Sequence, residues 1–530
     1  VTNLLSLARS GPLHAVPLLI FCAMPLQAQA CQTQAMSWPD PQANARVGTS
    51  LALRGDTMVA GGPMTDTNGA AYLWRKTAGS WGLEQKLGSP LTSSATVFGR
   101  RVALAGDVAL VGGNTGLNRT WLYRRTGSQW ALAQTLVPTG YTYVIEYGEA
   151  LAVEGEWIAV GAPSAQAAPP LTMRTGSVTL YREQAGVFSE VEQLRLPSPV
   201  GGEDFGFSLA LRAGVLVVGT AIGSQSATTG AGSVWVYRLG QTPAALEATL
   251  VSPAANPGRD SRGATFGREV ATDGVRIAIA DLAESRPNSA TGAVHLWVLQ
   301  AGAWVYEGSV SGRPNTCGFG SKLAIDGDEL VVGQSCGHRV SHFRRIGGQW
   351  LEQAITPTQN GSAFVLSSLA LSGQELALGS VVNPGTPTYV GQVAAYQLGS
   401  GSMPYGNGLA GTGGLMPQLF GSGCPRVGQP YSIDLGQGRG GSFALLAIGF
   451  SQAQSSLVGG TLWISSLVGS VGLMLDGSVG QAGAGGFQFP FAVPSPAYVG
   501  LRFYCQAGVM DPAASQGFAL SNALEVVMGH

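Results

Sequence analysis

The chain repeats itself. Aligned on itself, it shows the anchors Val47-Gly48, Phe98-Gly99, Tyr147-Gly148, Phe205-Gly206, Phe266-Gly267 and Phe319-Gly320, with a degenerate seventh at Phe364-Val365. Their spacing of roughly 45 to 60 residues is that of one supersecondary unit, too small to bury its apolar face alone. Neighbouring units must therefore stack into an array or a closed ring.

Each unit carries strand signals in a fixed order. After the anchor comes an alternating apolar run, a short turn containing Gly, and a second apolar run, as from Val102 through Gly106 to Gly112. That is the signature of a β-hairpin. The turn glycine recurs as Gly55, Gly106, Gly155, Gly214, Gly274, Gly327 and Gly373, which predicts a position with positive φ. Two copies place it one residue later, which predicts small bulges. A variable loop follows, then a third strand closed by an aromatic, as in Gly176 to Tyr181, Gly232 to Tyr237 and Gly292 to Trp297. Such an aromatic suits packing between neighbouring sheets. Most copies end with a fourth strand opened by an aromatic, for example Trp130 to Pro138 and Trp350 to Pro357.

Four strands per copy is the anatomy of a propeller blade. The expected fold is all-β: a seven-bladed β-propeller over residues 31–400, a Gly-rich linker over 401–414, and a small C-terminal β-sandwich over 415–530. The sandwich is read from short runs such as Tyr431 to Leu435, Phe443 to Ile448 and Val499 to Tyr504. The last repeat, ending at Tyr396 to Leu398, has no fourth strand of its own. An open sheet edge needs cover, so the segment from Cys31 to Pro39 is expected to pair there and close the ring.

Composition supports this reading. The chain has 78 glycines, which disfavour long helices. Charged residues make up only 11% and the formal net charge is −1, so a basic surface of the kind that binds nucleic acid is not expected. At the N-terminus, Arg9, the apolar stretch Val16 to Cys22 and the sequence Ala28-Gln29-Ala30 read as a signal peptide over residues 1–30. Its apolar run is broken by Pro17 and Pro25 and is shorter than the roughly 20 residues a spanning helix needs, and no transmembrane segment is expected later. A secreted or cell-surface protein follows. Cys31 directly after the cleavage point raises a lipid anchor, although Ala28 stands where a lipobox usually has Leu.

An oxidising compartment makes disulfides the default fate of the remaining cysteines. Cys317 and Cys336 flank the sixth hairpin and are expected to face each other across it. Cys424 and Cys505 are expected to bridge the two sheets of the C-terminal sandwich, leaving Cys31 unpaired, lipidated or bonded to a partner.

The run of Phe-Gly before Ser/Arg-Leu/Val-Ala, then Val160-Gly161-Ala162-Pro163, then Gly-x-Val-x-x-Tyr resembles the FG-GAP repeat of integrin α-subunit propellers and bacterial exported proteins. In that family the hairpin loop can hold calcium through alternating Asp and Asn. Here the turns are two residues long, and Ile325 to Leu330 offers too few carboxylates, so no metal or other cofactor is expected. Arg54-Gly55-Asp56 spells an adhesion triplet, yet Gly-Asp recurs in the same turn at Gly106-Asp107 and Gly327-Asp328, which favours a structural role. The ending, Tyr498 to Gln506 with Asp511-Pro512 and Ser521 to Leu524, resembles a C-terminal module of exported planctomycete-type proteins, which implies export more than activity.

No nucleophile elbow, P-loop, dinucleotide fingerprint or His-Glu-x-x-His motif is present. His295, His338 and His342 read as structural histidines in or beside third strands. Glu146, Glu149, Glu154, Glu156, Glu203 and Asp204 offer carboxylates for acid/base chemistry at a channel mouth, if the fold brings two together. The loops from Ala165 to Arg174, Gly223 to Gly230 and Ala283 to Thr291, between second and third strands, are the candidate ligand surface. The expectation is a non-enzymatic, monomeric binding or scaffold protein that presents loops to an extracellular protein or glycan. The alternatives are a glycan hydrolase or lyase acting at the channel, and a structural surface-layer or matrix component.

Overall fold

The computed structural model describes residues 31–38, 45–91, 97–113, 118–140, 146–166, 174–197, 202–220, 232–253, 265–285, 291–312, 318–335, 340–346, 348–355, 363–383, 390–398, 401–427, 429–493, 495–498 and 500–529. Among them the structure is all-β, apart from single turns of 3-10 helix at Thr412–Gly414, Pro496–Tyr498 and Ser515–Gly517.

Seven four-stranded antiparallel sheets follow one another. The first sheet runs from Ser50–Arg54 to Ser80–Gly88, the second from Arg101–Ala105 to Gln129–Leu136, and the third from Ala150–Glu154 to Val187–Leu194. The fourth runs from Phe205–Arg212 to Ala245–Val251, the fifth from Val270–Thr272 to Ala303–Ser311, and the sixth from Phe319–Asp326 to Gln349–Ile355. The seventh takes Ala363–Ser372, Glu375–Asn383 and Val390–Gln397, and its fourth strand is Cys31–Ala35 from the far end of the chain. That pairing, Cys31 opposite Gln397 and Ala35 opposite Ala394, is the one expected from the missing strand.

First strands of all seven sheets line one channel through Leu53, Leu104, Val153, Leu211, Ala271, Ile325 and Leu371. This is a propeller-like arrangement. Second strands such as Thr57–Gly62, Val108–Gly112 and Val215–Thr220 are buried along their whole length, because sheets stack on both of their faces. Fourth strands such as Gln129–Leu136 are mostly exposed and carry the polar residues. Between the first and second sheets, Val59 and Leu73 pack with Phe98, Val111, Trp121 and Tyr123 in one core cluster. Phe98 stands 5.2 Å from the Trp121 ring.

The Phe-Gly anchor marks the closest approach of neighbouring sheets. Gly99 has φ +89°, and a Cβ there would lie 2.2 Å from the Ala70 carbonyl oxygen of the preceding sheet. No larger residue fits between the two backbones. The turn glycines also have positive φ, as at Gly55 and Gly106, both +54°. The fourth and seventh sheets, whose turn glycine comes one residue later, carry the expected register shifts between first and second strands, at Phe205/Ser208 and Leu366/Ser368, and the sixth has one at Phe319/Lys322. A second set of bulges recurs elsewhere. In each of the first five sheets the register of third and fourth strands shifts at the third strand's closing aromatic, for example between Leu122 and Tyr123 and between Leu180 and Tyr181. The extra residue bends the outer strand and increases the twist.

Residues 401–529 form a five-stranded sheet, in the order Gly401–Tyr405, Phe518–Val527, Arg502–Met510, Phe443–Leu457 and Gly460–Met474, and a three-stranded sheet of Gln418–Gly423, Pro430–Gly438 and Gly485–Ala492. Leu419, Ile433 and Leu435 of the smaller sheet share a core with Leu446, Cys505, Leu524 and Val526 of the larger one. The stretch expected to be a linker is built into this unit. Gly401–Tyr405 pairs with Phe518–Val527, and Thr412 donates its N–H to Asp511 at 2.7 Å.

Two of the expected disulfide cysteines, Cys317 and Cys336, lie outside the described residues. The proposed Cys424–Cys505 bridge is corrected: Cys505 is a free thiol with no solvent exposure, and Cys424 is engaged elsewhere. Cys505 points into the shared core with Leu446 and Val526, whereas Cys424 follows the last residue of a strand in the smaller sheet.

Candidate functional site

The channel encloses about 240 Å³; most side chains along it are Leu, Ala, Val and Ile, and Arg54, Arg212, Thr272 and Asp326 also line it. Charged side chains stand at its two ends, whereas between them the first strands, each the edge of its sheet, offer apolar side chains and unpaired backbone groups.

At the end bearing the hairpin turns, among the described residues, four of the seven junctions between neighbouring sheets are tied by a side chain that accepts from the next sheet's turn glycine. Ser372 Oγ accepts from the Gly55 N–H at 3.0 Å, Glu154 from Gly214 at 3.4 Å, Asp273 from Gly327 at 3.1 Å and Asp326 from Gly373 at 2.6 Å. Glu154 also lies 3.9 Å from Arg54 and 3.7 Å from Arg212, and its burial holds its carboxyl above the usual range. Arg54-Gly55-Asp56 is engaged in this rim, with Asp56 ion-paired to Arg75 at 2.6 Å. The triplet serves the ring.

The opposite, anchor end is built from residues flanking the Phe-Gly pairs. The residue before the anchor pair has positive φ in four sheets: Arg46 (52°), Val97 (42°), Glu146 (71°) and Asp204 (50°). Non-glycine residues adopt this conformation at a cost and persist there only when the surroundings fix them. Just after the anchors stand Arg100 and Arg101, both bonded to the buried Glu149, and Arg268, whose guanidinium lies 5.4 Å from the Phe207 ring centroid. Lys322 pairs with Glu269 at 3.3 Å.

Between the third and fourth sheets this rim brings two of the candidate carboxylates into each other's field. Asp204 is pushed up to about 6 from the ordinary 3.8, first by burial and then by the charge of Glu146, against the opposing pull of Arg174 and Arg268. Glu146 accepts a 2.5 Å hydrogen bond from Ser164 Oγ. Of the other candidates, Glu149 is matched by its two arginines, Glu154 sits at the far rim and Glu156 pairs with Arg182 at 2.9 Å, whereas Glu203 is half-buried next to Asp204.

The ends of the Ala165 to Arg174 loop border the same spot, and 167–173 lie outside the described residues. Ala165 is buried and its carbonyl accepts from the N–H groups of Thr175 and Gly176, both at 3.1 Å, while the exposed Arg174 takes the Gly202 N–H on its carbonyl at 2.7 Å. One end of the loop is therefore pinned to the third sheet and the other to the segment leading into Asp204. Gly223 and Gly230 lie outside the described residues. Ala283 and Thr291 belong to strands Arg276–Ser285 and Thr291–Gln300, with Ser285 paired to Thr291. The hairpin of the fifth sheet thus extends farther than its sequence indicated, and only 286–290 separate its strands.

His295 and His342 are buried, and their contacts are structural. His295 Nδ1 lies 3.1 Å from the Tyr306 hydroxyl, and His342 Nε2 lies 2.5 Å from Glu329, whose other oxygen takes Arg344. His338 lies outside the described residues. Among the described residues no group of three or more His, Cys, Asp or Glu side chains is placed to hold a metal ion.

No protein-family model matches the chain, and no curated protein sequence is similar to it. Solved structures with some similarity include a putative 6-phosphogluconolactonase from Bacteroides uniformis ATCC 8492, at 10% identity over 58% of this chain and 85% of that chain, with a TM-score of 0.40. A putative 6-phosphogluconolactonase from Bacteroides fragilis NCTC 9343 is similar at 10% identity over 58% of this chain and 83% of that chain, with a TM-score of 0.40. A chain of the Mitotic Checkpoint Complex is similar at 13% identity over 74% of this chain and 99% of that chain, with a TM-score of 0.43.

Arg100, Arg101, Arg268 and Phe207 were not singled out as site residues from the sequence. The signal for them is positional. In Gly99-Arg100-Arg101, Gly206-Phe207, Gly267-Arg268-Glu269 and Gly320-Ser321-Lys322, the residues just after the anchor glycine all fall at the same end of the channel.

Proposed function

We propose that this chain is an exported binding protein: a seven-bladed, FG-GAP-type β-propeller followed by a C-terminal β-sandwich, acting as a secreted or cell-surface monomer. It recognises an extracellular protein or glycan at the anchor end of the channel. One observation carries the reading. At the anchor end, between the third and fourth sheets, Arg174 and Arg268 stand beside Asp204 and Glu146 as a cluster of mixed charge, and the side chains of the channel of about 240 Å³ are mostly Leu, Ala, Val and Ile. Such a cluster recognises a surface and has little to convert. The signal-like residues 1–30 support export.

The test is binding of the purified chain to arrayed extracellular glycans and surface proteins, compared with Arg174→Ala and Arg268→Ala. Loss of about tenfold in affinity for the same ligand supports the reading. Equal binding by both variants moves recognition away from this rim and overturns it.

A second reading rests on Asp204. A carboxyl pushed up to about 6 beside a second carboxylate is the kind of arrangement by which one group serves as acid and the other as base in glycoside chemistry. In that reading Asp204 donates the proton and Glu146 accepts one. Release of reducing sugar from an extracellular glycan by the wild-type chain, abolished in Asp204→Asn, would establish it over the binding reading.

A further inference from the structure

A cavity of about 600 Å³ opens between the turn-side rim of the sixth and seventh sheets and the five-stranded C-terminal sheet. It lies at the opposite end from the anchor rim. The reason is in the chain path: Val390–Gln397 ends at Gln397, which pairs with Glu375 just after the seventh turn, so the C-terminal unit begins on that side.

The lining is polar. Asp326, Asp328, Arg344 and Arg345 come from the sixth sheet, and Arg502 and Tyr504 from the C-terminal sheet. Every guanidinium in it is already matched by a carboxylate: Arg344 with Glu329 at 2.7 Å, Arg345 with Glu307 at 2.8 Å, and Arg502 with Glu525. Asp326 accepts from the backbone of Gly373, and Asp328 lies 3.9 Å from Arg276. The cavity therefore holds no unmatched cation for a phosphate, sulfate or uronate to neutralise, and an anion would meet Asp326 and Asp328 as well.

What remains is a set of fixed planar donors and acceptors with one aromatic ring among them. Tyr504 is held edge-on by Tyr405, with centroids 6.0 Å apart and planes at 84°. Hydroxyls that both donate and accept suit ion-paired side chains, which keep lone pairs and N–H groups to spare. A pyranose adds an apolar C–H face that an aromatic side chain covers. The volume lies within the roughly 300–1,000 Å³ typical of ligand pockets.

From this geometry we infer that the cleft between the turn-side rim and the C-terminal sheet binds a neutral oligosaccharide, with Tyr504 as the stacking platform and Asp328 and the paired arginines reading hydroxyls. This site is distinct from the anchor rim and stands or falls separately.

The test is titration calorimetry of the full chain with cellohexaose, laminarihexaose, maltohexaose and chitohexaose. At least one is expected to bind, with affinity falling about tenfold in Tyr504→Ala and persisting in Tyr504→Phe. Asp328→Ala, on an exposed turn, is expected to weaken the same ligand and serves as the deciding variant if Tyr504→Ala does not fold. Arg174→Ala and Arg268→Ala are expected to leave this binding unchanged. Failure of all four sugars at millimolar concentration, or binding insensitive to Tyr504→Ala and Asp328→Ala, overturns the inference whatever the anchor rim binds.

Discussion

Gln34 clasps Trp81 by two hydrogen bonds: its side-chain Nε2 donates to the Trp81 carbonyl at 2.6 Å, and the Trp81 N–H donates to its Oε1 at 2.7 Å. The same clasp joins Gln85 to Trp130 at 2.9 and 2.7 Å, and Gln134 to Phe188 at 2.6 and 3.0 Å. In those cases it links the fourth strand of one sheet to the fourth strand of the next. Gln34 stands on the N-terminal strand, so that strand takes the same place in the repeat although it comes from the other end of the chain. Trp81 also donates its ring N–H to Glu375, and Lys76 reaches the same carboxylate at 2.5 Å, joining the first sheet to the seventh a second time.

Replacing Gln34 with Ala removes both bonds and leaves the Trp81 backbone groups without their partner. The expected loss is about 1–2 kcal/mol. Removing residues 31–38 strips the whole strand, together with the Ser37 carbonyl that accepts from Trp74 Nε1 at 3.2 Å. That truncation is expected to lower the unfolding midpoint far more than Gln34→Ala, as read in urea titrations of both variants.

The two recurring glycines are expected to behave differently. At Gly106 an added methyl meets nothing within 4 Å, so Gly106→Ala carries only the conformational cost of φ +54°, about 1 kcal/mol. At Gly99 the methyl would collide with the Ala70 carbonyl oxygen at 2.2 Å, and Gly99→Ala is expected to cost upwards of about 3 kcal/mol. Equal midpoints for the two variants in thermal unfolding would contradict this account.

Asp204 sets a pH dependence of definite sign. Its folded-state value is raised, so between the ordinary 3.8 and about 6 the folded chain holds a proton that the unfolded chain has released. Stability from this group is therefore complete at the acid end of the window and falls as pH rises through it. Because the carboxyl is partly solvated, the effect is on the order of 1 kcal/mol. Asp204→Asn is expected to flatten the unfolding profile across that window.

Glu329 acts with the opposite sign. Burial raises its carboxyl, but the hydrogen bonds from His342 and Arg344 outweigh it and hold the group below its usual value. Its contribution is present at neutral pH and is lost as pH falls through the acid range. Glu329→Gln is expected to destabilise the chain at pH 7 by about 3 kcal/mol, because Arg344 is left half-buried without its counter-charge. The same variant should lose less further stability on acidification than the wild type.

Cys505 is expected to be silent to thiol reagents in the folded chain. It is buried, and burial pushes its thiol up to about 12, so neither access nor thiolate is available. Labelling by iodoacetamide should appear only with global unfolding. Labelling under native conditions would mean that the core shared by the two C-terminal sheets opens.

The repeat itself was legible in the sequence because it is local chemistry. Alternation along a strand, glycine in a turn, and an aromatic closing the third strand are all set by neighbours within a few residues, and each recurs where the anchors place it. The fourth strand of the last sheet was legible too, since a missing strand and a spare segment are both visible along the chain. The placement of site residues was not. Glu146 and Asp204 are 58 residues apart, and only the stacking of the third sheet on the fourth brings their charges together. The same limit explains Cys505: a bridge to Cys424 between the two sheets is a tertiary expectation, whereas its direction is fixed by the strand's alternation into a core. Sequence alone determined an all-β repeat and its strand order, because hydrogen-bonding periodicity and φ > 0 positions are properties of short segments. Tertiary structure decided which charges meet, which glycine is irreplaceable and where the C-terminal unit docks, because those depend on distances between sheets that no single segment contains.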